Sequence, residues 1–273
     1  PVSRVALIQT TLGEVADMAS SLFDAMLLVV FVFLLAGFVK GIIGFGLPTV
    51  SVSLLTAFQG LEAAIVIMLL PSLLTNVWQG VVGGHFVYLI RRFLWLLVFG
   101  VILTWITSRA LTGENLPLFV VLLGVAIVVS SGSSILGLKI PDPGRHERWL
   151  SPAIGGISGG ISGVTGVFVL PAVDYLRALA LGRDQLIQVM GIWFSVATIS
   201  LGSSLSYHGL VAGSLGLLSA AGVVPAFAGM MLGIRLRTRL SPDVFRMVFL
   251  IGLSLLGLYL IVMGLVSHAS SGS

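Results

Sequence analysis

Cysteine is absent from this 273-residue chain, which excludes disulfides, thiolate metal sites and cysteine nucleophiles. Charge is scarce as well: Asp, Glu, Lys and Arg make up 9% of the residues, where soluble globular chains carry roughly 25%. With 57% hydrophobic residues and a mean hydropathy of +1.14, a water-soluble domain would lack the polar surface to cover itself. Nor do the charges make a nucleic-acid surface. The pI is about 10.0, but 14 basic against 10 acidic residues leave a thin, scattered excess. His85, His146, His208 and His268 fall in loops or at ends, so none reads as a metal ligand or buried base, and no cofactor or metal is expected. What remains is a polytopic membrane protein.

Ten apolar stretches recur: Phe23–Val39, Leu47–Phe58, Glu62–Val82, Phe93–Ser108, Pro117–Leu138, Ser151–Gly163, Val167–Leu181, Asp184–Leu205, Leu210–Ile234 and Val244–Val266. Crossing the hydrocarbon core takes about 20 apolar residues. Most stretches qualify, whereas Leu47–Phe58 and the pair flanking Val164 are short and read as half-helices or re-entrant hairpins. Pro1–Ser20 carries Arg4, Glu14 and Asp17 and lacks the basic-then-apolar order of a signal peptide. The expected organisation is a surface segment over 1–22, one transmembrane repeat over 23–138, a cytoplasmic linker over 139–150, a second repeat over 151–266 and a tail over 267–273.

Orientation follows from the cations. With the Lys139–Arg148 loop in the cytoplasm, Arg91 and Arg92, Arg177 and Arg183, and Arg235, Arg237 and Arg239 also fall inside, and Arg246 lies close by. Only Arg4 and Arg109 fall outside, as the positive-inside rule requires. Both termini are then expected outside the cytoplasm.

The chain reads as duplicated. Gly37, Gly41 and Gly44 are matched by Gly156, Gly160 and Gly163 at an offset of 119; Gly60, Glu62, Ile65, Met68 and Gly80 meet Gly182, Asp184, Ile187, Met190 and Gly202 at 122. Five segments per half is an odd number, so the second copy enters the membrane from the opposite side. The fold class is therefore all-α, with two inverted repeats whose first two segments are short or broken at glycines. Many secondary transporters are built this way, with substrate bound where interrupted helices meet.

Both breaks have an anion-binding chemistry. Gly44-Phe45-Gly46 followed by Pro48 ends one helix and starts another. The first N–H groups of a helix have no helical partner and carry partial positive charge. Lys40 stands beside this break in apolar surroundings, where a charge is by default functional; the alternative is a lysine snorkelling to the interface. The second break offers Ser158, Ser162, Gly163, Thr165 and Gly166, as oxyanion donors or as hydroxyls bonded to their own helix. Asn76 and Gln79, with Gln188, Ser195 and Thr198 in the matching helix, line a cavity or tie helices together. Glu62 and Asp184 are candidate proton carriers, or simply complement a helix dipole. The expected site, between the two breaks, joins Lys40, Gly41, Gly44, Phe45, Gly46, Asn76 and Gln79 to these second-half residues. Asp174 and Arg177, one turn apart, are expected to pair.

The string Val-Lys-Gly-Ile-Ile-Gly-Phe-Gly-Leu-Pro at 39–48, with glycine-rich breaks opening both halves, resembles the sulfite exporter TauE/SafE family, also called the 4-toluene sulfonate uptake permeases. The resemblance spans Phe23 to Val266. It implies a bacterial inner-membrane secondary carrier for sulfite or organosulfonates, coupled to protons. It also implies a proline after each break. Pro171 fits this in the second half, whereas the first has Ser53 near that place and an earlier Pro48.

Two other readings compete. An anion channel would use the same chemistry. An intramembrane serine protease would use Ser158 or Ser162, each in a G-x-S-G string, with His208 as base; that requires the histidine within hydrogen-bond reach of the serine. Otherwise no enzyme activity is expected.

Overall fold

The computed structural model describes residues 2–112, 115–138, 141–211, 213–237 and 242–271. Pro1, Lys139 and Arg239, and the last two residues of the tail, Gly272 and Ser273, lie outside them. Helices are the regular elements among the described residues, with no strand.

The helices are α1 (Val2–Ile43), α2 (Leu47–Gln59), α3 (Leu61–Val81), α4 (Phe86–Arg92), α5 (Leu94–Ser108) and α6 (Leu116–Ile135) in the first half. The second half has α7 (Glu147–Thr165), α8 (Ala172–Ala178), α9 (Arg183–Tyr207), α10 (Gly213–Ala221), α11 (Val223–Leu236) and α12 (Pro242–Ser271). Among the described residues, seven stretches are long and apolar enough to cross a membrane, and Leu47–Gln59 is a shorter apolar helix, as its length in the sequence suggests. Their outward faces carry exposed apolar side chains, among them Phe31, Trp95, Val129, Ile199 and Leu258. In water such a surface would aggregate; in lipid it is solvated.

Three boundaries differ from the sequence reading. α1 does not stop at Val39 but runs to Ile43, where Gly44 turns left-handed (φ 93°) and donates its N–H to the Lys40 carbonyl at 2.8 Å. Lys40 therefore projects from intact helix, one turn before the break. Val167–Leu181 is not one helix: residues 167–170 are non-helical, and only Ala172–Ala178 winds up. The β-branched and proline residues of Val-Phe-Val-Leu-Pro resist helix there. Leu210–Ile234 is likewise two helices, α10 and α11, meeting at Gly222, where Phe33 and Pro71 crowd in.

The halves pack in corresponding pairs. α1 lies along α11 while α7 lies along α5; α3 faces α9, and α6 faces α12. Exchanging each helix for its counterpart in the other half turns the first pair into the second and leaves the last two unchanged. The helix ends also bear on the register of the expected duplication. Gly44 and Gly166 both cap their helices in the left-handed conformation and lie 122 positions apart, as do Gly60 and Gly182. One offset of 122 thus aligns Gly37, Gly41 and Gly44 with Gly159, Gly163 and Gly166. In that register Lys40 corresponds to Ser162, not Gly159.

The glycines make the paired crossings possible. A Cβ on Gly37 would lie 2.1 Å from the Ala226 carbonyl oxygen, and one on Gly229 would lie 2.1 Å from that of Leu34. The same contact recurs where Gly155 approaches Leu96 and Gly159 approaches Gly100, at 2.2 and 2.3 Å. Only residues without Cβ allow backbones this close, the usual basis of helix association in lipid. Outside the bundle, Arg92 joins α4 to α7 through two hydrogen bonds to Glu147 of 2.7 and 2.8 Å, which hold its guanidinium protonated above the usual arginine range.

Candidate functional site

Lys40 is 2% exposed. Its side chain does not reach out to the interface but turns inward to α3, donating to Thr75 Oγ1 at 3.1 Å and to Asn76 Oδ1. Asn76 Nδ2 donates to Ser72 Oγ at 3.0 Å, and Ser72 Oγ lies 3.5 Å from Thr198 Oγ1 of α9. Thr75 donates its own proton to the Pro71 carbonyl at 2.7 Å, so its oxygen faces the ammonium as an acceptor. The result is a polar thread from α1 through α3 to α9, entirely of neutral groups apart from Lys40. No carboxylate among the described residues pairs with that charge. A buried cation without a counter-ion is strongly disfavoured unless something else supplies the negative charge.

A cavity of about 170 Å³ opens beside it, lined by Lys40, Gly41, Gly44, Trp78, Gln79 and Arg237 among others. Organic ligands of drug size occupy pockets of roughly 300–1,000 Å³, so this volume suits a small solute. Gln79 fixes the floor. Its Nε2 donates to the Gly44 carbonyl at 3.0 Å and to the Ile187 carbonyl at 2.8 Å, stitching the break to α3 and α9.

The structure thus gathers Lys40, Gly41, Gly44, Asn76 and Gln79, with Thr198 at the far end of the thread. It does not bring the second break to them. Gly166 packs on Val52 and Ile65 near the start of α3, whereas Gly44 is held by Gln79 near its end. Fourteen residues of helix separate those levels, about 21 Å at 1.5 Å per residue. Ser162 Oγ donates to the Ser158 carbonyl at 2.5 Å and Thr165 Oγ1 to the Ile161 carbonyl at 2.7 Å; these hydroxyls satisfy their own helix. A Cβ on Gly163 would strike Thr107, so that glycine serves the α5 crossing. Ser195 and Thr198 also donate back one turn, to Gly191 and Phe194. Gln188 binds the Gly80 carbonyl and accepts from the His85 N–H, closing the end of α3. Glu62 and Asp184 stand in the first turns of α3 and α9 and do not line the cavity. Phe45 and Gly46 line a different cavity, with Thr49, Asp174, Arg177 and Arg246.

Three participants escape the sequence reading. Ser72 and Thr75 look like ordinary hydroxyls of an apolar helix; Ser72 stands four residues before Asn76 and three before Thr75, and that helical spacing is the available signal. Arg237 is accounted for in the sequence by orientation alone. The Asp174–Arg177 pairing is present but loose, with 3.8 Å between Nη1 and Oδ1.

Ser158 Oγ and His208 Nε2 are both buried without a hydrogen-bond partner, so they are not bonded to each other. The serine–histidine contact that proteolysis requires is missing. Ser158→Ala and Ser162→Ala together are expected to leave anion flux in reconstituted vesicles within about twofold of the unaltered protein.

A bundle with seven apolar spans among the described residues, and a buried lysine without a carboxylate partner beside a solute-sized cavity, has the form of a multi-pass membrane transporter. The family model for Sulfite exporter TauE/SafE matches residues 29–260, and the chain belongs to that family, whose members are transporters of sulfite and related anions. No match is found among curated proteins or among solved structures.

Proposed function

We propose that the protein is a secondary-active carrier of small sulfur oxyanions or organosulfonates and that Lys40 binds the anion. The observation that carries this reading is the Lys40 ammonium: buried, held by neutral acceptors only, and bordering a cavity of about 170 Å³. An entering anion supplies the missing counter-charge. Charge-assisted hydrogen bonds in a water-poor site are about twice as strong as neutral ones. Arg237, on the cavity wall, draws the solute in, and Gln79 keeps the glycine break open around it.

Alternating access is supported by the corresponding helix pairs. Because α1 with α11 and α7 with α5 make equivalent glycine crossings, a conformation of one half has a counterpart with the halves interchanged, and the two expose opposite sides of the membrane. The alternative of a channel makes a different prediction. Proteoliposomes loaded with unlabelled sulfite are expected to accumulate labelled sulfite transiently against its gradient, and initial rates are expected to saturate. Flux that stays proportional to concentration, without counterflow, rejects the carrier. Gene neighbours encoding sulfonate-degrading or sulfite-producing enzymes would narrow the substrate further.

A further inference from the structure

Gly44 borders the Lys40 cavity, and the residues that follow it, Phe45 and Gly46, border a second opening. A cavity of about 500 Å³ between α6, α8 and α12 is lined by Ser134, Asp174, Arg177 and Arg246, and narrows to a throat of about 30 Å³ walled by Phe45, Gly46 and Thr49. Its charges do not balance. Two guanidiniums face one carboxylate, and that carboxylate meets Arg177 only at 3.8 Å. Among the described residues, Arg246 makes one long hydrogen bond, 3.5 Å to the Ser134 carbonyl. Its charge is felt at both Asp174 and Arg177. Arg177 is held in place from below, its guanidinium carbon 4.6 Å above the Phe45 ring. That stacking orients the planar fork while leaving its N–H edges free.

Two further features at the throat point to a ligand. Thr49 is 5% exposed, and its hydroxyl has no hydrogen-bond partner although it lines the cavity wall. Buried hydroxyls in native proteins are normally bonded. Thr49 also stands in the first turn of the 13-residue α2, beside Pro48, where helix N–H groups are unpaired. Net positive charge, a buried idle hydroxyl and a helix start thus converge on one place.

We propose that this cavity is a second anion-binding site, in which Arg177 and Arg246 take a small tetrahedral or pyramidal oxyanion between them with Thr49 donating at the apex. The site is separate from Lys40 and does not rest on it: the cavities share no lining residue. The occupant is a free solute, since the throat is too narrow for anything larger than a single small group. Bidentate guanidinium contacts suit planar oxygen pairs on sulfur or phosphorus alike.

The test is equilibrium binding of radiolabelled sulfate to the full-length protein in phosphatidylcholine nanodiscs. Two equivalents are expected, falling to one in Lys40→Met and to a different one in Arg177→Gln/Arg246→Gln. Arg246→Gln alone, whose single long contact leaves folding unthreatened, is expected to weaken that second equivalent about tenfold. Chloride is expected not to compete at equal concentration. If the arginine variants bind sulfate as the unaltered protein does, the second site is overturned, whatever Lys40→Met shows. If the second equivalent disappears when phosphatidylglycerol is added, the arginines hold a lipid headgroup and the free-solute assignment is overturned.

Discussion

Lys40→Ala is expected to raise the half-saturating sulfite concentration at least tenfold, with the folded yield little changed. Hydrogen bonds to a charged group contribute about 1.5–3 kcal/mol, and each 1.4 kcal/mol is a factor of about ten in affinity. Stability should move much less, because two consequences oppose each other. Removing Lys40 relieves a desolvated cation that has no acid partner, but it also leaves Asn76 Oδ1 without its donor, which costs about 1–3 kcal/mol. The melting temperature is therefore expected to shift by only a few degrees. Asn76→Asp separates charge from mere bulk. It keeps the lysine, adds no volume, and places a fixed carboxylate on the ammonium in competition with the solute. It should weaken sulfite binding as much as Lys40→Ala does while raising the melting temperature. Unchanged half-saturation in both variants would remove Lys40 from the site.

How far the sequence foretells these features depends on the scale of the force involved. The spans are legible because lipid imposes a length and an apolar composition on each helix: Glu62–Val82 becomes Leu61–Val81, and Asp184–Leu205 becomes Arg183–Tyr207. The first break is legible because Gly44, Gly46 and Pro48 act locally through allowed dihedrals. The second is harder. Its non-helical stretch has no glycine after Gly166, and Phe168 is held by a tertiary bond, its carbonyl accepting the Trp193 indole N–H at 2.9 Å. Depth is also hidden. Nothing in the spacing reveals that Gly166 packs against Ile65 while Gly44 is tied to Gln79, because relative height follows from how α2 and α3 dock. Spacing alone does not fix how the expected repeats correspond: glycines crowd the 155–166 stretch so densely that offsets of 119 and 122 both fit the first block, and the positive-φ ends at Gly44 and Gly166 favour 122. Lys40 stands out as a charge in an apolar run, whereas its partners Ser72 and Thr75 are side chains that membrane helices carry routinely.

The second large effect concerns those glycines. Gly229→Val is expected to abolish correctly folded protein, seen as loss of the monodisperse peak in detergent and of transport together. A Cβ at position 229 would stand 2.1 Å from the Leu34 carbonyl oxygen and 2.9 Å from the Phe38 nitrogen, both backbone atoms that cannot swing aside. Relief demands that α1 and α11 separate, which also breaks the contacts at Gly37, Gly41 and Gly233. Overpacking a core ordinarily costs about 1–3 kcal/mol; here four crossings share one interface, so the cost should reach or exceed the top of that range. The corresponding crossing makes a matched prediction, since a Cβ on Gly155 would stand 2.2 Å from the Leu96 carbonyl oxygen. Gly155→Val should therefore be as damaging as Gly229→Val, although the two positions differ in sequence surroundings. Gly252 of α12 has nothing within 4 Å of its Cβ position. Gly252→Ala should leave folding intact, or stabilise it by about 0.4–1 kcal/mol through a less flexible unfolded chain. Equal tolerance at 155, 229 and 252 would mean that the close approaches do not hold the halves together. Loss at 229 with tolerance at 155 would instead deny that the two helix pairs are equivalent, and with it the exchange of conformations that alternating access requires.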